Sequence, residues 1–218
     1  MALAIFDLDN TLIAGDSDHL WGEFLVKKGV VDAELFKQKN DEFYQNYVDG
    51  NLDIYKYIEF SLAPLAQNDM ATLDALHNEF MDTSIRPIML SKAKQLVENH
   101  RQRGDTLLVI TATNRFVTQP IVKEFGIQNL LAIEVEQIDG RYTGKSVGVP
   151  SFKEGKVTRL QDWLSESGQN LEGSVFYSDS HNDIPLLDLV ETPIVVDGDA
   201  QLLEHAAKNN WQCISLRD

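Results

Sequence analysis

The sequence predicts an α/β protein: a parallel sheet covered by helices on both faces, with a helical subdomain inserted after the first strand. Two observations predict this. Short aliphatic and β-branched runs recur, each followed by a helical pattern, which is how a doubly covered parallel sheet is written. The interval from about Ala14 to Met89 holds several amphipathic patterns and no convincing strand, whereas a βα crossover needs only one helix.

The first strand is expected at Leu3–Phe6. In the inserted interval, Leu20, Trp21, Phe24 and Leu25 share one helical face. Leu35, Phe36, Phe43, Tyr44 and Tyr47 share a second, and Leu73, Leu76, His77 and Phe80 a third. Ser91 begins a helix that runs to Arg103, with Gly104 as its stop. A second strand follows at Thr106–Ile110, and Pro120 is expected in the first turn of a helix ending near Gly126. Ala132–Val135 reads as a third strand and Gln137 to Tyr142 as a small hairpin turning at Asp139-Gly140. Ser174–Tyr177 and Ile194–Val196 complete the sheet. The division expected is a sheet-bearing unit of residues 1–13 and 90–218 and an inserted unit of residues 14–89.

The 218 residues carry 19 Lys+Arg against 34 Asp+Glu, a formal charge of −15, so nucleic acids and anionic membrane surfaces are disfavoured partners. With 43% hydrophobic and 24% charged residues, the chain has the composition of a folded globular protein. Cys213 is the only cysteine, which rules out an intrachain disulfide and a four-cysteine zinc site and suits a reduced, cytoplasmic setting. The opening MALAIF has no basic flank and meets Asp7 before a signal peptide's apolar region would end, and no run reaches the ~20 apolar residues of a membrane span.

In open α/β sheets, ligands bind beyond the carboxyl ends of the strands. Polar clusters stand at three of those ends: Asp7-Leu8-Asp9-Asn10-Thr11, Thr111-Ala112-Thr113, and Ser178-Asp179-Ser180-His181-Asn182-Asp183. Converging carboxylates repel one another, so a hard cation is needed, and Mg²⁺ suits one or two carboxylates plus a phosphate oxygen. This points to phosphate chemistry. One acid of the Asp7–Asp9 pair can attack phosphorus while the other serves as proton donor, and hydroxyl and N–H groups near Thr111 and Ala112, with a lysine, can hold phosphoryl oxygens.

These residues resemble the motifs of the haloacid dehalogenase superfamily. DLDNTL is similar to its first motif, VITATN to its second, Lys156 in EGKVTRL to the third and SDSHND to the fourth. The helical insertion resembles the cap of the phosphoserine phosphatase-like branch, on a Rossmann-like core. One departure is Ser178, where that branch usually has Gly, which would alter loop packing rather than a metal ligand. The resemblance implies Asp7 as nucleophile forming an aspartyl-phosphate and Asp9 as general acid, then base. It implies Mg²⁺ on Asp7, the Asp9 carbonyl, Asp179 and Asp183, and phosphate held by Thr111, Ala112 and Lys156. Lys153 rivals Lys156 for the lysine role.

Asp16, Ser17 and Asp18 follow the first motif closely enough to overhang the site, although capping of the next helix is the simpler use for one of them. An ungapped comparison with phosphoserine phosphatases puts Glu59 near the arginine that reads the serine carboxylate. The pocket expected is therefore acidic and suits a small phosphorylated metabolite with cationic groups and no carboxylate, such as histidinol phosphate, with phosphoserine as the alternative. A phosphoacceptor signalling module is the rival from another class; it would carry its acceptor on a middle strand and have no helical insertion. His19, His77, His100 and His205 show no ligand-like spacing, and Trp21 and the other aromatics of the insertion read as its core.

Overall fold

The computed structural model describes residues 2–217; Met1 and Asp218, the ends of the expected sheet-bearing unit, lie outside them. Seven strands form one sheet in the order β4-β3-β2-β1-β5-β6-β7, all parallel except β4. β1 (Leu3–Phe6) lies at its centre, wholly buried, between β2 (Thr106–Asn114) and β5 (Val175–Ser178). Its period of two divides it between both faces. Ala4 and Phe6 join a core cluster with Val109, Tyr177 and Val196, whereas Leu3 and Ile5 join an opposite cluster with Leu108, Phe176 and Val195.

The second face is covered by α7 (Glu154–Ser167), α8 (Ile184–Leu187) and α9 (Ala200–Asn209), through Leu160, Leu186, Leu187, Leu202 and Ala206. The first is covered by α5 (Ser91–Gln102) and α6 (Arg115–Glu124), through Ala93, Val97, Val117 and Ile121. The Asp139-Gly140 turn joins β3 (Asn129–Ile138) to β4 (Arg141–Val147) as an antiparallel hairpin. β6 (Thr192–Val196) and the short β7 (Gln212–Ile214) close the other edge.

Between β1 and β2 lie α1 (Ser17–Lys27), α2 (Ala33–Val48), α3 (Ile54–Gln67) and α4 (Met70–Phe80). All four begin the same way. Asp16, Asp32, Asp53 and Asp69 are their N-caps, each side chain accepting a backbone N–H of the first turn, which satisfies donors a helix start would otherwise leave orphaned. Trp21 on α1 packs against Phe24, Phe80 and His77 and meets Phe116 of α6 edge-on at 5.5 Å, while His77 Nε2 lies 2.9 Å from the Val117 carbonyl. Trp21 thus joins the insertion to α6 rather than packing within the insertion alone. His100 is held between Asp105 and the Tyr177 hydroxyl, at 2.8 and 2.9 Å.

Three sequence expectations differ from the structure. Pro120 is not in a first turn: α6 starts at Arg115, capped by the Asn114 side chain on the Val117 N–H at 3.1 Å, so Pro120 sits inside the helix. β2 continues to Asn114, with a register shift against β3 beyond Ile110, so the polar cluster lies on the strand rather than after it. β7 carries no apolar alternation and was not expected. Among the described residues, no helix is long and apolar enough to cross a membrane.

Candidate active site

The central strand delivers Asp7 to the sheet's carboxyl edge, where its N–H donates to the Tyr177 carbonyl at 2.9 Å. The chain then turns sharply, with Asn10 at φ 56°, and folds back so that the Asn10 N–H meets the Gly15 carbonyl. That return brings the start of α1 to Asp9: the Ser17 N–H donates to Asp9 Oδ1 at 2.7 Å. From β2, the Thr113 and Thr111 hydroxyls reach Asp9 Oδ2 at 2.9 and 3.3 Å. A hydroxyl can donate to a carboxylate or accept from the acid, so this shell suits both protonation states. Burial pushes the Asp9 carboxyl above its usual range against these hydrogen bonds.

From the end of β5, Asp179 accepts from the Thr11 hydroxyl at 3.1 Å, and Asp183 accepts from Ser178 Oγ at 2.7 Å. Ser178 therefore ties the loop to Asp183. Lys156, in the first turn of α7 and only 3% exposed, places Nζ 2.9 Å from Asp7 Oδ1 and 2.7 Å from Asp183 Oδ1. Burial lowers its pKa, but Asp183 and Asp7 outweigh that and hold it above the ordinary lysine value. Burial raises Asp7 to about 7, Lys156 opposes the rise, and Asp183 and Asp9 add to it. Asp179 is pushed well up by burial, then by Asp7 and Asp183.

At Asp7 and Asp9 opens a cavity lined further by Asp16, Asp18, Phe43, Tyr44, Tyr47 and Tyr57. Thr111 and Ala112 also line it. Asp18 Oδ2 accepts from the Tyr57 hydroxyl at 2.7 Å, and Asn114 Nδ2 lies 3.3 Å from Oδ1. Burial raises Asp18 to about 7 and, with the nearby Asp9 charge, Asp16 to about 8. Among the described residues, neither Lys nor Arg lines this cavity.

The structure brings together Asp7, Asp9, Thr111, Ala112, Lys156, Asp179 and Asp183, with Asp16 and Asp18 alongside. It does not bring Glu59, which is exposed and borders a separate surface groove beside Gly144 and Lys145. The reason is helical phase: Glu59 is two residues past the inward Tyr57, about 200° around α3. Nor does Lys153 reach the carboxylates; its Nζ donates to the Gly50 carbonyl at 2.7 Å. Sequence reasoning set Ser17 over the site and Thr113 in a polar cluster without reading their contacts with Asp9, and it missed His19, whose ring lies 4.8 Å from Tyr44 at the cavity wall. Thr113 was within reach, since two residues from Thr111 on a strand means the same side.

The carboxylates fit a hard divalent cation, because Asp7 and Asp183 raise the proton affinity of Asp179, Asp183 and Asp9 raise that of Asp7, and the one lysine there pairs only with Asp7 and Asp183. Among the described residues, no three His, Cys, Asp or Glu side chains form a complete metal cage. Mg²⁺ asks for none, since it keeps waters and takes one or two carboxylates plus substrate oxygens.

The model of the haloacid dehalogenase-like hydrolases matches residues 4–188. The chain belongs to that family. It is 46% identical to a histidinol-phosphatase of Neisseria meningitidis serogroup C, across 99% of both chains. It is 29% identical to a phosphoserine phosphatase of Mycobacterium tuberculosis, across 99% of this chain and 71% of that one. A Bordetella pertussis protein of unknown function superposes with a TM-score of 0.93 at 43% identity, covering 99% of both chains. A substrate-bound phosphoserine phosphatase superposes at 0.73 and 18% identity, over 98% of this chain and 92% of that one, which makes the fold common to both. The chain is a phosphatase of this family, a class whose members generally use Mg²⁺.

Proposed function

We propose that the chain hydrolyses histidinol phosphate, or a closely similar cationic phosphate monoester, through an aspartyl-phosphate on Asp7. The observation that carries this reading is the lining of the cavity at Asp7 and Asp9: Asp16 and Asp18 add two further acids, Phe43, Tyr44, Tyr47 and Tyr57 face it with His19, and neither Lys nor Arg does. A substrate carboxylate there would lose water without gaining a partner, whereas an ammonium or imidazolium would meet Asp16 and Asp18. The similarity to a histidinol-phosphatase supports the same substrate.

In this reading Asp7 attacks phosphorus, the ester P–O bond breaks, and Asp9 gives its proton to the leaving alcohol oxygen. Asp9 then takes a proton from the water that attacks the aspartyl-phosphate, and inorganic phosphate leaves. The raised proton affinity of Asp9 suits the first of these roles. Lys156, the Thr111 hydroxyl and backbone N–H groups near Ala112 hold the phosphoryl oxygens. Mg²⁺, held by Asp7, the Asp9 carbonyl and Asp179 with Asp183 in support, supplies the positive charge that a phosphoryl group requires when bound there. Residues 14–89 serve as a cap over a core of residues 1–13 and 90–218, and the single cysteine suits a cytoplasmic setting. Turnover of histidinol phosphate with Mg²⁺, lost in chelator and restored by added Mg²⁺, tests the reading; a purified, folded chain that leaves this ester intact overturns it.

A further inference from the structure

Lys153, the rival lysine of the sequence, and His181, inside the Ser178–Asp183 cluster, take no part in the chemistry above. Both meet one point on the inserted helices. Gly50 follows the C-terminal end of α2, and its carbonyl accepts from Lys153 Nζ at 2.7 Å. The same glycine, at φ +73°, lies so close to His181 that a Cβ would stand 2.9 Å from Nε2. His181 is itself fixed, its N–H and Nδ1 lying 2.7 and 2.8 Å from Asp199 Oδ2. One turn earlier on α2, Tyr47 lines the catalytic cavity and points its hydroxyl at Ser180 Oγ, 3.4 Å away. Asn182 Nδ2 lies 3.4 Å from the Tyr47 carbonyl.

The backbone at Lys153 is unusual. It stands at φ 48°, ψ −124°, a conformation that costs a non-glycine residue energy and persists only where its surroundings impose it. It immediately precedes α7, three residues before Lys156, and Gly155 between them is packed so tightly that a Cβ would meet the Pro150 carbonyl oxygen at 2.1 Å. The strained turn sends two lysines in different directions. Lys156 goes down to Asp7 and Asp183; Lys153 goes across to the carbonyl end of α2, where a cation is also favoured by the helix dipole.

We propose that Lys153 is a positioning residue that clasps the end of α2 to the turn that begins α7 and carries Lys156, and so sets Tyr47 over the reacting groups. It rests on the phosphatase reading only for its kinetic consequence. The clasp itself is a structural statement that backbone exchange can read alone. The amides of Asp49, Gly50 and Asn51 are hydrogen-bonded to the Gln45, Tyr47 and Asn46 carbonyls, so their exchange reports whether this end of α2 is held.

Lys153→Met keeps the side chain's length and removes its charge and donor. Hydrogen–deuterium exchange of residues 49–51 should quicken about tenfold, the change expected for one lost charge-assisted hydrogen bond, while exchange in the sheet stays constant. kcat/KM for a phosphate monoester should fall by a similar factor with the melting temperature unmoved, and Lys153→Arg should restore both. Unchanged exchange at residues 49–51 overturns the clasp whatever the activity. Faster exchange with wild-type kcat/KM overturns its positioning role, as does a loss of activity that tracks global unfolding or is not rescued by Arg.

Discussion

Lys156 Nζ lies 2.9 Å from Asp7 Oδ1, across 149 residues of sequence, and the same ammonium lies 2.7 Å from Asp183 Oδ1. One buried cation thus joins the first strand's end to the polar cluster of Ser178–Asp183. Removing it leaves Asp7 and Asp183, both buried, without their shared cation. Lys156→Met should destabilise the metal-free protein by about 3–5 kcal/mol, a fall in Tm on the order of 10 °C. Differential scanning calorimetry checks this, and a Tm within two or three degrees of wild type contradicts it.

Asp7 and Asp9 should separate kinetically. Asp7→Asn should abolish turnover and any trappable acyl-phosphate. Asp9→Asn should lose ~10²–10⁴-fold on an alkyl phosphate, the usual range for general acid help, and much less on p-nitrophenyl phosphate, whose leaving group needs no proton. An equal loss on both esters removes Asp9 from the acid role.

The acids also tie stability to pH. In the metal-free protein burial lifts Asp7 and Asp18 to about 7 and Asp16 to about 8, from an ordinary 3.8. Each then holds its proton more tightly folded than unfolded. Their contribution is complete below about pH 4 and is lost as pH rises through 7 and 8. Mg²⁺ competes with protons for Asp7 and Asp179, so the Tm increment it gives should grow from pH 5.5 to pH 8. Thermal melts in Mg²⁺ and in chelator measure that increment, and one that shrinks with pH contradicts the metal site.

Charge at the cavity can be altered without altering the fold. Asn caps helices as well as Asp does, and at residue 18 its carbonyl can still accept from Tyr57. Asp16→Asn and Asp18→Asn should each lower kcat/KM for histidinol phosphate about tenfold relative to p-nitrophenyl phosphate. Glu59→Arg should leave that ratio untouched, since Glu59 faces solvent on the far side of α3.

What was legible in the sequence follows from short-range physics. Leu3–Phe6 read as a strand because four buried apolar residues end abruptly in Asp7, and the insertion read as helical because its apolar residues recur at helical spacing. Phase around a helix was not legible without its start. A two-residue error on α3 separates Tyr57, which reaches Asp18, from Glu59, which reaches nothing in the cavity. Tyr44 and Tyr47 read as core because an aromatic stripe looks the same whether it faces packing or a cavity. Pro120 misled because Asn114, not proline, starts α6.

The relative kcat/KM for histidinol phosphate and phosphoserine, read from one competition assay with both esters and Mg²⁺ present, tests the substrate reading most directly. A cavity with Asp16 and Asp18 and neither Lys nor Arg in its lining should favour histidinol phosphate by ~10-fold or more. Equal consumption, or phosphoserine consumed first, would contradict selection by charge while leaving the phosphatase assignment in place.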